Sequence, residues 1–221
     1  MLDTASPSEV RHETARIDER APDFEARSTR GLVRMSDYRG RWLVFFSHPA
    51  DFTPVCTSEF LAFQNAADRF DALGADLLGL SVDSLYAHLA WIKDIEARFQ
   101  TRITFPIIED ISMAVARAYG MIHEGSASTA AVRSVFFIDP DGYVRAMIHY
   151  PMNVGRSVEE VLRVLSALKE SDANQVVMPE GWKPGDPAVL PPPLDQAEAD
   201  ARSDAAGGAW YYTRQEASGD A

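Results

Sequence analysis

Hydrophobic residues fall along this chain in short continuous runs that alternate with longer stretches of helical period. Leu43-Val44-Phe45-Phe46 is an apolar run of strand length, and between residues 57 and 73 the positions Phe60, Leu61, Phe63, Phe70 and Leu73 recur at helical spacing. A buried strand therefore passes into a helix through the loop 47–53. Residues 75–82 repeat the strand signal after Gly74, a natural helix stop. Leu85, Leu89, Ile92, Ile95 and Phe99 repeat the helix signal after Asp83-Ser84, which can cap it. Strand, helix, strand, helix predicts a parallel β-α-β core with a right-handed crossover.

Antiparallel pieces flank that core. An extended entry at 21–25, the turn residues Ser28-Thr29-Arg30-Gly31 and the alternation at 32–35 predict a hairpin, and residues 36–40 predict a single turn leading into the core strand. Residues 103–108 contain Pro106 and read as strand only in part, while 112–119 read as a short helix closed by Gly120. Residues 134–138 and 143–148, joined by Asp139-Pro140-Asp141-Gly142, predict a second hairpin. Ser157 and Glu160 fit a capping box for a helix over 158–169.

These signals place a compact domain over residues 16–170, behind a polar tail over 1–15. From residue 171 the composition shifts: Pro179, Pro184, Pro187 and Pro191 to Pro193 favour extended backbone, and 195–205 suit one polar helix. After Gly207-Gly208, the aromatics Trp210-Tyr211-Tyr212 are expected to dock on their own domain or on a partner subunit. Residues 171–221 thus read as a C-terminal arm.

Charge narrows the partners. Lys+Arg 21 against Asp+Glu 33 gives a net charge of -12, which argues against nucleic acid or an anionic membrane, since phosphate recognition needs clustered positive charge. No apolar run approaches the roughly 18 to 20 residues that span a bilayer, and the polar N-terminus lacks the apolar segment of a secretory signal. A single cysteine excludes an intramolecular disulfide framework and fits a reducing compartment, the cytoplasm.

That cysteine, Cys56, follows Thr53, a preferred N-cap, and Pro54, which suits a first helical turn. In the first turn, unpaired N–H groups and the positive end of the macrodipole favour a thiolate over a thiol. Position alone leaves two readings open, an activated nucleophile and a buried inert thiol. Without a Cys-x-x-Cys, a dithiol cycle within one chain is excluded. No His-x-x-x-His, His-Glu-x-x-His or Gly-rich phosphate loop occurs, so no metal site and no cofactor are expected.

The order of elements, with a cysteine after a strand and at a helix start, is similar to the thioredoxin-like fold. That is an α/β fold with a central mixed β-sheet flanked by helices, here with a C-terminal extension. Pro49-Ala50-Asp51-Phe52-Thr53-Pro54-Val55-Cys56 matches the Pro-x-x-x-Thr-x-x-Cys motif of the peroxiredoxins, and FSHPADFTPVCTSE closely resembles their one-cysteine, peroxiredoxin-six-like class. APDFE at 21–25, HLAWIKDI at 88–95, FPIIED at 105–110 and RSVFFIDPDGYVRAMIHYP at 133–151 match as well. GRSVEEVLRVL at 155–165 and WKPGDPAVLPPP at 182–193 extend the resemblance over residues 16 to 215 or so.

The resemblance implies that Cys56 is the peroxidatic nucleophile, an accessible anion between helix amides and a distant guanidinium. Thr53 would orient the peroxide, Pro49 would shield the site, and Arg133 would keep the thiolate charged and stabilise the departing oxygen. Glu59 would hold the arginines, Arg156 would be the second of them, and His48 would contact the sulfur or its oxidised form. His88 and Trp91 also match, yet their spacing puts them on one helix face, and Trp91 is assigned to the core and pocket wall. The implied activity is thiol-dependent reduction of hydrogen peroxide and organic hydroperoxides, in antioxidant defence and redox homeostasis. An external thiol or other reductant would regenerate the cysteine. The same sulfur chemistry would also serve a redox-sensing or holdase-like protein. The implied assembly is a homodimer with the arm crossing to its neighbour, or a larger ring such as a decamer. Some relatives carry a Gly-Asp-Ser lipase motif where this chain has Gly40-Arg41-Trp42, so no phospholipase activity is expected.

Overall fold

The computed structural model describes residues 14–122, 129–205 and 209–216. The chain divides into two compact units between Arg156 and Ser157.

In the first unit, seven strands make one mixed sheet: β1 (Glu25–Ser28), β2 (Gly31–Arg34), β3 (Trp42–Ser47), β4 (Ala75–Ser81), β5 (Ile107–Glu109), β6 (Arg133–Ile138) and β7 (Val144–Tyr150). Their order is β2-β1-β5-β4-β3-β6-β7. β3, β4 and β5 run parallel, as the β-α-β reading expects, and the two hairpins β1–β2 and β6–β7 add antiparallel edges. β3 lies between β4 and β6 and all six of its residues are buried, which explains a run of apolar side chains without alternation.

Successive side chains of β3 point to opposite faces. Phe45 packs with Tyr119 and Phe136 on one face, at ring-centroid distances of 4.9 and 6.3 Å. Phe46 stacks on Phe63 at 4.2 Å and meets Phe60 and Phe105 on the other. That second face receives α1 (Pro54–Asn65), α2 (Ala67–Ala72) and α3 (Leu85–Phe99). The single helix expected over 57–73 is broken at Ala66, whose φ of -98° and ψ of 0° bend the chain. Phe63 and Phe70, seven residues apart, keep helical spacing across the bend, and Phe70 is fully buried beyond it.

β5 is only three residues long, because Pro106 has no N–H to give; its carbonyl accepts from Gly79 instead, at 2.9 Å. α4 (Ala114–Ala118) starts two residues late, after Met113 in the left-handed region. Asp110 caps it, accepting from the N–H groups of Val115 and Ala116.

The second unit opens with α5 (Val158–Asn174), which runs five residues beyond its expected end and belongs with the C-terminal segment, where the sequence reading had placed the boundary at residue 170. Half of the expected capping box forms. Ser157 accepts from the Glu160 N–H at 3.2 Å, but the Glu160 carboxylate turns to Arg163. β8 (Ala188–Val189) pairs with β9 (Arg214–Gln215), and α6 (Gln196–Ala205) is the expected polar helix. Trp182 is buried and donates to the Asp186 carbonyl at 2.9 Å. Trp210, Tyr211 and Tyr212 are 41%, 68% and 45% exposed. Gly207-Gly208 and residues 1–13 of the expected tail lie outside the described residues. Ala15, near the end of that tail, is buried and donates to the Ala118 carbonyl. Among the described residues no helix is long and apolar enough to cross a membrane.

Candidate active site

β3 delivers the chain to the site. After Ser47 come the buried His48 and Pro49, and then Phe52, whose φ of +56° is uncommon for a bulky side chain and turns the loop into α1. Thr53 is the N-cap through its backbone, its carbonyl accepting from the Thr57 N–H at 2.9 Å. Its hydroxyl does not cap the helix; it donates to the Ala50 carbonyl at 2.8 Å, which leaves the oxygen lone pairs as acceptors. Pro54 occupies the first turn and Cys56 follows on the buried side, as the sequence predicts.

Two arginines far along the chain converge on this turn. Arg133, the first residue of β6, donates through Nη1 to Cys56 Sγ at 3.2 Å and to Glu59 Oε2 at 2.8 Å. Its Nε and Nη2 both reach the Met152 carbonyl, at 3.0 and 2.7 Å, which fixes the plane of the guanidinium. Arg156 grips Glu59 from the other side, with Nε at 2.9 Å from Oε1 and Nη2 at 2.7 Å from Oε2. Its Nη1 donates to the carbonyls of Ser47 and Ser134, and its guanidinium lies over the Phe46 ring at 5.2 Å.

Glu59 is therefore one buried carboxylate between two buried guanidiniums. Burial pushes its carboxyl up, but the hydrogen bonds and charge of Arg156, joined by the charge of Arg133, outweigh that and hold it below the ordinary carboxylate range. Two cations and one anion give these three side chains one positive charge in excess, beside Cys56. The sulfur is nonetheless completely buried, which corrects the expectation of an accessible anion: entry of even a small peroxide requires the surrounding side chains to give.

A second polar cluster adjoins the loop. His48 Nε2 lies 2.8 Å from Asp51 Oδ1, His88 Nδ1 lies 2.7 Å from Asp51 Oδ2, and His88 Nε2 lies 3.1 Å from the Ile108 carbonyl. All three side chains are buried. Burial pushes Asp51 up, yet the hydrogen bonds from both histidines outweigh it and leave the carboxyl below its ordinary range. Burial also holds His48 below the ordinary histidine value, against the pull of Asp51. Their nitrogens and oxygens lie within 4.8 Å of one another, a spacing a cation could use. His48 Nε2, His88 Nδ1 and both Asp51 oxygens are already hydrogen-bonded within the group, however, and a cation there would have to replace those bonds.

The candidate residues Cys56, Glu59, Arg133 and Arg156 thus meet directly. His48 reaches them through its neighbours, its ring resting on Phe60 at 4.8 Å, four residues after Cys56 on the same helix face. Thr53 and Pro49 belong to the loop itself, and Trp91 packs in the core against Phe60 at 4.6 Å. Sequence reading missed Asp51 and gave His88 only a packing role. An acid three residues after a histidine was the available signal, but its second histidine lies 37 positions further on. The carbonyls of Met152, Ser47 and Ser134 leave no trace in sequence.

Residues 17–147 match the AhpC/TSA family, and residues 167–204 match the C-terminal domain of 1-Cys peroxiredoxin. Peroxiredoxin 2 of Picrophilus torridus is 45% identical over 195 residues, which cover 88% of this chain and 96% of that protein. The yeast mitochondrial 1-Cys peroxiredoxin structure is similar at a TM-score of 0.78 and 41% identity, covering 85% of this chain and 92% of the other. Peroxiredoxin 6 of Arenicola marina is similar at a TM-score of 0.77 and 34% identity, covering 84% and 88%. These likenesses agree with the chemistry open to a lone thiol beside an uncompensated guanidinium, and the chain belongs to the peroxiredoxin family as a thiol-dependent peroxidase of the one-cysteine type.

Proposed function

We propose that Cys56 is the peroxidatic nucleophile, on the strength of one observation: Arg133 Nη1 donates to its sulfur inside a site that is one negative charge short. The thiolate attacks the distal oxygen of a hydroperoxide, an S–O bond forms as the O–O bond breaks, and the departing oxygen takes up a proton to leave as water or an alcohol. The sulfur is oxidised to a sulfenic acid and the peroxide is reduced. Arg133 stabilises the charge on the departing oxygen, Glu59 and Arg156 hold Arg133 in place, and buried Pro49 keeps water from the sulfur. Thr53 accepts the peroxide O–H, since its own proton is held by the Ala50 carbonyl. His48 serves the oxygen carried on the sulfur.

Hydrogen peroxide and organic hydroperoxides are the substrates, and burial of Cys56 favours the smaller ones. An external thiol attacks the sulfenic sulfur, releasing water, and a second thiol frees Cys56 as a disulfide departs. The yeast relative is resolved through glutathione and thioredoxin systems, and thiols of that class suit this site. The working form is a homodimer, in which a second copy covers Trp210, Tyr211 and Tyr212, or a larger ring. A single thiol suits a reducing compartment such as the cytoplasm, with antioxidant defence as the role. Replacing Cys56 with serine is expected to abolish peroxide consumption while circular dichroism stays unchanged. Turnover at the wild-type rate in that variant would refute the assignment.

A further inference from the structure

We infer that Asp83 is a positioning residue for the peroxidase reaction. It accepts from the N–H of the Ala50–Asp51 peptide, and the carbonyl of that same peptide takes the proton of the Thr53 hydroxyl, so Asp83 sets how Thr53 meets the peroxide. This role rests on the reading above, in which Cys56 is the nucleophile and Thr53 accepts from the peroxide O–H.

One peptide plane links the two side chains. The Asp51 N–H lies 3.0 Å from Asp83 Oδ2, and the Thr53 hydroxyl lies 2.8 Å from the Ala50 carbonyl oxygen. A peptide is planar, so a group that fixes its N–H also fixes the direction of its C=O. If that carbonyl turned away, the Thr53 proton would be free to rotate and its oxygen would no longer be held as an acceptor. The bond from Thr53 back to Ala50 spans only three residues and cannot tie the loop to the sheet. The bond to Asp83 spans 32 positions and does.

The loop needs such an anchor because it is strained. Phe52, between the two bonded residues, has φ of +56°, a region that a bulky side chain rarely enters. Backbone of this kind persists where its surroundings over-determine it, and it clusters at working sites. The Phe52 ring supplies little of the hold, since the residue is 57% exposed and its ring centroid lies 6.5 Å from that of Trp91.

Asp83 is itself well placed to serve as a fixed point. β3 and β4 run parallel and pair through Ser47 and Leu80, so the loops that follow them leave the same edge of the sheet. The Ser81 hydroxyl, at the end of β4, donates to Asp83 Oδ2 at 2.8 Å and accepts from the Asp83 N–H at 3.1 Å. Ser81 is buried, and its carbonyl accepts from the Asp110 N–H at 3.1 Å. On the other side of Asp83, Ser84 caps α3 by accepting from the Ala87 N–H.

The test uses the full chain. Amide hydrogen exchange followed by NMR should show the Asp51 N–H protected in wild type and in Asp83→Asn, whose amide oxygen can still accept, and exchanging at least about tenfold faster in Asp83→Ala. In stopped flow with hydrogen peroxide, Asp83→Ala should slow oxidation of Cys56 by about 10- to 100-fold, the scale of a small misplacement at a reacting centre. Asp83→Asn should recover most of that rate. Alkylation by iodoacetamide should proceed at the wild-type rate in all three proteins, because it needs the thiolate and not Thr53. Adding Asp83→Ala to Thr53→Val should cost little beyond Thr53→Val alone, since the two residues act through one hydroxyl. A folded Asp83→Ala with the wild-type peroxide rate, equal losses in both reactions, or losses that add in the double variant would overturn the role of Asp83. Thr53→Val oxidised at the wild-type rate would instead sink the reading of Thr53 on which that role depends.

Discussion

Arg133 Nη1 divides its donation between Cys56 Sγ, 3.2 Å away, and Glu59 Oε2, 2.8 Å away. The same guanidinium is pinned at its other edge by the Met152 carbonyl, so its position does not depend on the sulfur. Such a donor is in place before charge develops, which is what makes electrostatic stabilisation effective in a buried site.

Arg133→Lys keeps the charge but replaces a planar fork with one ammonium, which cannot hold Met152, Glu59 and Cys56 at once. Stopped-flow measurement should show the second-order rate constant with hydrogen peroxide falling by about 10²- to 10³-fold, the scale of removing one oxyanion donor. A fall of less than threefold would mean that this arginine is structural.

Glu59→Gln removes the one carboxylate that both buried guanidiniums pair with. Breaking a buried pair from one side costs about 3 to 5 kcal/mol. Urea denaturation should register a loss on that scale, along with loss of peroxidase rate as Arg133 drifts. Stability within about 0.5 kcal/mol of wild type would contradict the buried network.

Acid should unfold the protein through the same groups. The folded-state values of Glu59 and Asp51 are lowered, so the unfolded chain binds more protons once the pH falls into the ordinary carboxylate range. Their stabilisation is complete above about pH 4.5 and is lost progressively below it. His48, held low by burial, adds a shallower loss that begins as the pH falls below about 6.5. Urea midpoints across this range should decline with falling pH, less steeply in Glu59→Gln; a flat profile would count against both assignments.

Gly142→Ala separates fold from chemistry. Gly142 has φ of +80°, and a Cβ there would lie 1.7 Å from Arg39 Nη1. The far end of Arg39 can swing aside, but left-handed backbone strain of about 1 to 2 kcal/mol remains. Thermal unfolding should shift down while the peroxide rate of folded protein is unchanged; an equal or higher melting temperature would show that the turn has relaxed.

Much of the first unit was legible because local patterns and tertiary demands agree there. The apolar run at Leu43 to Phe46 can satisfy itself only in the middle of a covered sheet, and it occupies that position between β4 and β6. The break at Ala66 escaped because helical period alone does not show where a chain must bend to bury Phe70. For the aromatics 210–212, sequence registers that they are apolar but not whether their own chain covers them.

At the site, sequence by itself determined that one thiol sits in the first turn of a helix, since Thr53, Pro54 and Cys56 are neighbours and their local preferences suffice. Tertiary structure decided what surrounds that thiol. Arg133 and Arg156 lie 74 and 97 positions from Glu59, and His88 lies 37 from Asp51. Charges so distant in the chain are joined only by strand order, and whether a carboxylate is ionised depends on burial and on which donors the fold brings within 3 Å or so.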